Sequence, residues 1–371
     1  VSWSPQQDLA IKSVQQWLRD PRGKQIFRLF GYAGTGKTTL ARELAKSVRG
    51  IVLYATFTGK ASLVLRKKGC EDASTIHSLI YKVEVDERTG EAIFNLNPDS
   101  ELADAALLVI DEVSMVGEEL ARDLLSFGKR VLVLGDPAQL PPVKDEGFFI
   151  NASPDVMLTE VHRQAADNPI IRMSMDIREG KRLAPGQYGD SLVARRGDIS
   201  KDRMGEIVLS SDQLLCGLNR TRTVFNRRIR AMKELSGFVE PWHPCIGDRL
   251  ICLRNKRDKQ LFNGSLWTVQ GIEEMGGRLD MVVGSLDERR DPVEIGVFEE
   301  YFNGTEQRLT WQERRQSEEF TFGWAITCHK SQGSQWDSVV VFDESAAFRE
   351  SRANWLYTAV TRAAEKVTVV I

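Results

Sequence analysis

The sequence carries no excess of positive charge. Fifty Lys and Arg stand against 52 Asp and Glu, a net charge of -2, which excludes the basic coat that drives indiscriminate nucleic-acid binding. Any nucleic-acid site must therefore be a local groove. Long apolar runs are missing too: nowhere do about 18 apolar residues follow one another, as a membrane span would require. The opening VSWSPQQDLAIKSVQQWLRD reads as an amphipathic helix with charges throughout and not as a signal peptide. The five cysteines, Cys70, Cys216, Cys245, Cys252 and Cys328, are odd in number and lack paired metal-ligand spacing. They read as reduced thiols of a cytosolic protein and argue against structural zinc. Internal repeats and low-complexity tracts are absent. What remains is a soluble intracellular chain of 371 residues, long enough for two or three domains.

Apolar runs alternate with helical patterns in the first half: QIFRLF, GIVLYAT, ALLVID and VLVLGD each end in a loop bearing Gly, Thr or Asp. This rhythm predicts an α/β fold whose parallel sheet carries its ligand sites at the carboxyl ends of the strands. It returns in DQLLCGLN, SVVVFD and KVTVVI, after a helical pattern over Asn168 to Arg178, so two such lobes are expected. Residues 247–317 change character to short β-rich runs with Gly turns, which predict a small β-barrel inserted in the second lobe. Residues 81–96 hold two alternating segments around Glu87-Arg88-Thr89-Gly90, a hairpin pattern. The expected division is 1–160 for the first lobe, 161–246 with 318–371 for the second, and 247–317 for the insertion.

After QIFRLF comes Gly31-Tyr32-Ala33-Gly34-Thr35-Gly36-Lys37-Thr38, followed by the helix former TLARELAKSV. Glycines at this spacing let backbone amides wrap phosphate oxygens. The helix N-terminus adds partial positive charge, Lys37 neutralises the outer phosphates and Thr38 ligates Mg2+. Gly34, Thr35, Gly36 and Thr39 complete the cradle for ATP. The strand ALLVIDE delivers Asp111 to hold the magnesium water shell and Glu112 to orient and deprotonate the attacking water. Beyond VLVLGD, the Gln139 amide reads either as a sensor that touches the γ-phosphate and the second lobe or, taken without the neighbouring motifs, as part of a Pro-stiffened loop.

These residues resemble a superfamily 1 helicase, in the 5′-to-3′ group that holds RecD and the phage Dda helicase. GYAGTGKTT, ATFTGKA, STIHSL, DEVSM and GDPAQLPPV follow in the family's order, and LTEVHRQ, LCGLNRTR, FTFGWAITCHKSQGSQWDSVVV and WLYTAVTRA do so in the second half. The resemblance implies two RecA-like lobes with ATP between them and single-stranded DNA across their top, the inserted barrel being SH3-like. It assigns Gln7, with Gln6 beside it leaving the register open, to reading adenine. Arg163 and Arg362 are assigned to the γ-phosphate, where guanidinium groups stabilise charge spread over the transferring group. Gln332 and Gly333 are assigned to a loop touching nucleotide and DNA, and Tyr357 either to the nucleotide cleft or to core packing. Thr56, Phe57, Thr58, Lys60, Ser74, Thr75, His77, Thr327, His329 and Lys330 fall where the family holds the DNA strand. Short hydroxyls and amides suit phosphates without reading sequence; Thr75 and His77 also read as helix-start and core polar residues, and Phe57 as a core aromatic.

The insertion between His77 and Asp111 has room for a hairpin but not for a helical subdomain, in agreement with 5′-to-3′ polarity. Helicases of this group carry a pin at that place, so the hairpin is expected to part the duplex with Phe94 at a rigid apolar tip that caps the exposed base pair; a surface connector whose Phe94 folds back on the lobe is the alternative. The implied partners are single-stranded and junction DNA, with one chain sufficient, no membrane, and a bacterial or phage cytoplasm as the setting. A nucleotide-gated remodelling ATPase that grips nucleic acid without unwinding, and an RNA helicase, remain open as alternatives.

Overall fold

A computed structural model of the chain describes residues 3–85, 92–141, 147–160, 167–237, 240–256, 258–275 and 277–371. The fold has two compact units, Val1–Gly180 and Lys181–Ile371.

The first unit opens with the helix Pro5–Arg19, started by a capping box between Ser4 and Gln7 with Pro5 in the first turn. Both devices satisfy or forgo amides that a helix start leaves unpaired. Its buried face, Gln7, Ala10, Val14 and Trp17, follows the three-and-four spacing of one helical side. The strands are β1 (Ile26–Gly31), β2 (Val52–Thr56), β3 (Ser74–Thr75), β4 (Tyr81–Val85), β5 (Ala92–Leu96), β6 (Leu107–Asp111), β7 (Val131–Gly135) and β8 (Val156–Leu158). Six form a parallel sheet in the order β3-β2-β6-β7-β1-β8. All residues of β6 and β7 are buried, as expected where helices cover both faces. The pleat divides them: Leu107, Val109, Leu132 and Leu134 face one core cluster with Trp17 and Leu40, while Leu108, Ile110, Val131 and Val133 face the other with Ile76 and Phe149. Register brings Thr56 level with Asp111 and Thr75, and Phe30 level with Gly135. The strand ends thus deliver their loops to a common edge.

β4 and β5 pair as the expected antiparallel hairpin, Tyr81 opposite Leu96 through Val85 opposite Ala92. The Glu87–Gly90 turn lies outside the described residues. Phe94 is opposite Val83, in the middle of a strand, which corrects its expected place at an apolar tip. The expected boundary at 160 shifts as well. The helix Pro169–Arg178 belongs to the first unit, and the Arg178 guanidinium lies 3.5 Å from the Tyr32 ring centroid, a cation–π contact that ties the helix to the phosphate loop.

In the second unit the strands are β9 (Gly186–Tyr188), β10 (Ser191–Ala194), β11 (Gln213–Cys216), β12 (Arg249–Cys252), β13 (Leu266–Met275), β14 (Arg278–Ser285), β15 (Val293–Phe298), β16 (Phe320–Phe322), β17 (Ala325–Thr327), β18 (Trp336–Phe342) and β19 (Ala363–Val370). The order β17-β11-β18-β19-β10-β9 is parallel apart from the β9–β10 pair. The inserted strands form a five-stranded antiparallel sheet, β15-β14-β13-β12-β16, around Trp267, Val283 and Phe320. It runs past the expected end at 317, since β16 pairs with β12 through Leu250 opposite Phe322. Its two edges meet at Glu318, whose N–H donates to Gly296 O (2.9 Å) while its carboxylate accepts from Gly296 N–H (2.8 Å). The five cysteines are free thiols. Among the described residues no helix is long and apolar enough to cross a membrane.

Candidate active site

The phosphate loop is shaped by a close approach and by two left-handed glycines. A Cβ on Gly31 would lie 2.6 Å from Thr35 Oγ1 and 2.8 Å from Leu158 Cβ, so only glycine fits there. Thr35 is buried and its hydroxyl donates to Tyr32 O at 2.8 Å. Gly34 and Gly36 both take φ 78°, a conformation costly for residues with a Cβ. Gly36 leads into the helix Lys37–Ala45, whose first turn receives no side-chain cap among the described residues. A helix start of this kind suits an anion, through its amides and its dipole. Lys37 Nζ donates to Gly31 O (2.6 Å) and Tyr32 O (3.0 Å); an ammonium has three donors, so the same group can brace the loop and meet a phosphate.

Thr38 Oγ1 donates to Asp111 Oδ2 at 2.8 Å, and Asp111 Oδ1 accepts from the Glu112 amide at 2.8 Å. The two residues expected around Mg2+ therefore sit together, although Thr38 belongs to the helix after β1 and Asp111 ends β6, two strands that are not adjacent in the sheet. A hydroxyl and a carboxylate are the hard oxygen donors Mg2+ takes, and it keeps waters and substrate phosphates for the rest. The residues present fit the ion. Glu112, the expected base, has φ 55° and ψ 46°, a left-handed backbone that a side chain disfavours by about 1–2 kcal/mol. Strain of this kind collects at functional positions. At the next strand end Asp136 is buried and shapes the turn, Oδ1 accepting from Ala138 N–H at 3.0 Å and its carbonyl from Gln139 N–H at 3.1 Å. Gln139 is buried in that turn.

The neighbouring glutamines separate cleanly. Gln7 Nε2 donates to Thr35 O at 3.0 Å and its Oε1 accepts from Ser4 N–H at 3.1 Å. Gln6 instead holds the chain after β8, accepting from Thr159 and Glu160 amides at 2.7 and 2.9 Å. Position 7 thus reaches the phosphate loop.

The residues expected to face DNA also hold their own loops in shape. Thr56 is buried and donates to Thr58 O at 2.9 Å, and Thr58 caps the helix Gly59–Lys67. Thr75 caps the helix Ile76–Ile80, the helix-start role foreseen for it, and Lys60 is buried while Ser74 is half-buried. His77 is the centre of an aromatic group, with Phe57 at 5.7 Å, Tyr81 at 5.9 Å and Phe94 at 6.2 Å between centroids. Phe57 is half-buried against the core. Phe94 folds onto this group, 6.2 Å from His77 and 5.8 Å from Tyr81, yet remains 54% exposed, so it joins the hairpin to the helix Ile76–Ile80 and the residue after it.

In the second unit Thr327 ends β17, and the turn that follows carries His329, Lys330, Gln332 and Gly333. Gln332 is buried and Gly333 takes φ 75°. Arg362 is buried beside this turn, its Nη1 donating to Ser334 O at 3.2 Å and its Nε to Thr358 O at 3.1 Å. Lys330 Nζ donates to Asn263 Oδ1 of the inserted sheet at 3.1 Å. The His329 ring lies 5.5 Å from Phe348, which stacks on Trp355 at 5.6 Å, and burial lowers the His329 pKa from 6.5. Tyr357 is 1% exposed, which makes it a core residue. Arg163 lies outside the described residues. Phe348 and Trp355 had no signal in the sequence beyond apolar spacing, and neither did the left-handed Arg349 between them (φ 45°).

Comparison with known proteins agrees with this geometry. The family model described as an AAA domain matches residues 4–198, and the model described as a UvrD-like helicase C-terminal domain matches residues 322–370. The ATP-dependent RecD2 DNA helicase of Deinococcus radiodurans is 30% identical over 93% of this chain and 46% of its own length. The ATP-dependent DNA helicase Pif1 of Bdellovibrio bacteriovorus is 25% identical over 91% of this chain and 81% of its own. The chain spans less than half the length of the RecD2 relative. A crystal structure of Bacteroides Pif1 bound to single-stranded DNA shares the fold, with a TM-score of 0.57 at 19% identity over 99% of this chain and 92% of that one.

Proposed function

Because the chain belongs to the AAA-domain family over residues 4–198 and, with its UvrD-like C-terminal segment, to the superfamily 1 helicases of the RecD2 and Pif1 group, we propose that it is an ATP-dependent DNA helicase moving 5′-to-3′ along single-stranded DNA. The observation that carries this reading is the Thr38 to Asp111 hydrogen bond with Glu112 at the same strand end. In it the phosphate loop and the Asp-Glu strand make one hydrolytic centre. Lys37 and the amides at the start of the helix Lys37–Ala45 hold the phosphates within the cradle of Gly34 to Thr39, and Gln7 reads the adenine edge with one donor and one acceptor. Thr38 and Asp111 hold Mg2+, which when bound neutralises phosphate charge. Glu112 orients and deprotonates the attacking water, while Gln139 senses the γ-phosphate.

Arg163 and Arg362 are the guanidinium groups for the transferring phosphoryl, whose spread charge they stabilise. Gln332 and Gly333 share a turn with the DNA-holding Thr327, His329 and Lys330, so nucleotide state and grip change together. Thr56, Phe57, Thr58, Lys60, Ser74, Thr75 and His77 hold the strand on the first lobe. The hairpin over 81–96 is the wedge: each base-pair step costs on the order of 1.4 kcal/mol of stacking to open, and an apolar surface that caps the exposed pair offsets part of it. Phe94 and Leu96, two residues apart and so on one face of their strand, present such a surface, each more than 40% exposed. One chain carries all these parts and acts as a monomer.

The test is ATP hydrolysis measured with single-stranded DNA, single-stranded RNA or duplex added, alongside Lys37→Ala. Strong stimulation by single-stranded DNA alone, absent in the variant, is the expected result. Equal stimulation by RNA would replace the DNA reading. Nucleotide-dependent binding without unwinding would reduce the protein to a remodelling ATPase.

A further inference from the structure

A cavity of about 910 Å³ lies in the second unit between the helix Asn219–Met232 and the inserted sheet, within the size range of ligand sites. Its helical wall has two rows. Asn226 and Arg230 form the buried row and are fully occupied by structure. The Asn226 amide exchanges hydrogen bonds with the Ala325 backbone (2.9 and 3.0 Å), and the Arg230 guanidinium binds Asp248, Pro241 O and His243 O. Arg220, Thr223 and Arg227 form the other row, at spacings of three and four that place them on one exposed side. Among the described residues no ion pair or hydrogen bond engages the side chains of Arg220 and Arg227. Arg222 sits deeper; its Nε is buried without a hydrogen-bond partner among the described residues, a costly state for a charged donor unless an anion visits it. Glu306 is the sole acidic residue in the lining, against four arginines. Trp242, 36% exposed, stands at the same rim.

Arginines, a hydroxyl and an exposed indole are the groups that bind a single nucleic-acid strand, the cations taking phosphates and the indole a base face. The helical wall of the cavity also adjoins the strand that leads into the DNA-holding turn, because Asn226 bonds the backbone of Ala325, two residues before Thr327. We infer that this cavity is an accessory single-strand site, in which Arg220, Arg222 and Arg227 bind the phosphates of the strand beyond the turn at Thr327–Lys330 and Trp242 stacks on a base. An acidic peptide is the competing occupant. The nucleic acid is favoured because the site adjoins a nucleic-acid contact. The inference rests on the helicase reading and lengthens its DNA footprint.

The test uses the full chain and fluorescein-labelled oligothymidylate. Affinity is measured against salt for wild type, Arg220→Gln/Arg227→Gln and Trp242→Ala, and a photo-crosslinking residue is placed at position 242. Arg220 and Arg227 are exposed, so their replacement leaves the core intact; an unchanged melting temperature verifies this. Losing two phosphate contacts lowers the slope of log K against log salt by about 1.4, and affinity at 0.1 M salt by about 25-fold. ATP hydrolysis at saturating DNA stays near the parental rate, and residue 242 crosslinks to the strand. If wild type binds DNA while the double variant keeps its affinity and salt slope, or if residue 242 captures only an acidic peptide, the accessory site is wrong and the helicase reading stands. If wild type fails to bind single strands at all, both fall.

Discussion

Replacing Glu112 by glycine is expected to stabilise the first unit while abolishing turnover. Glu112 holds φ 55° and ψ 46°, and relief of that conformation is worth about 1–2 kcal/mol. Glycine returns about 0.5–1 kcal/mol through its freer unfolded chain, leaving a net gain of roughly 0.5–1 kcal/mol. For a unit of this size, Val1–Gly180, that is a rise of about 1–4 °C in Tm. The Glu112 amide, which donates to Asp111 Oδ1, survives every substitution except proline, so the comparison isolates the backbone. Glu112→Ala keeps a Cβ and therefore the strain, and its Tm should not rise. Glu112→Gln should also leave Tm unchanged while slowing DNA-stimulated hydrolysis by at least ~100-fold, the scale for loss of a general base. Calorimetry and steady-state ATPase on the three variants decide it. A Glu112→Gly protein that melts no higher than Glu112→Ala would refute the strain argument, and near-parental turnover in Glu112→Gln would remove the base.

Arg362→Ala should retain ATP affinity and lose turnover steeply, because a guanidinium acts on charge that develops in the transition state; equal losses in binding and turnover would assign it to ground-state binding or to the turn at Ser334. Replacing Val83 to Phe94 by a short Gly-Ser turn should preserve DNA-stimulated hydrolysis and eliminate duplex unwinding, whereas unwinding at the parental rate would place the wedge elsewhere. Burial lowers the His329 pKa from 6.5, so the folded state favours the neutral ring. Its share of stability is complete above pH 6.5 and is lost as pH falls below that value toward the folded pKa. Denaturation of His329→Gln between pH 5 and 7 should show a flatter slope than wild type.

Much of the fold was legible because strand ends and chemistry coincide. β1, β6 and β7 are short apolar runs that stop at Gly31, Asp111 and Gly135, and a parallel sheet must put those stops on one edge. What was missed depends on packing between distant segments. The helix Pro169–Arg178 repeats with helical spacing, but its place in the first unit, where Arg178 lies over Tyr32, depends on packing that spacing does not reveal. The Gln6 and Gln7 pair was ambiguous until the helix phase turned one toward Thr159 and the other toward Thr35. Phe94 was expected at a tip because a hairpin pattern carries no information about where its strands stop pairing. The left-handed backbone at Glu112 has no signature, since glutamate is an ordinary residue whose φ the surrounding fold imposes.

Unwinding of a duplex with a single-stranded 5′ tail, a 3′ tail or no tail tests the central reading most directly. With ATP and Mg2+ the expected result is separation of the 5′-tailed substrate alone, lost in Lys37→Ala. Separation of only the 3′-tailed duplex would reverse the polarity, and strong DNA-stimulated hydrolysis with no strand separation on any substrate would contradict the helicase assignment.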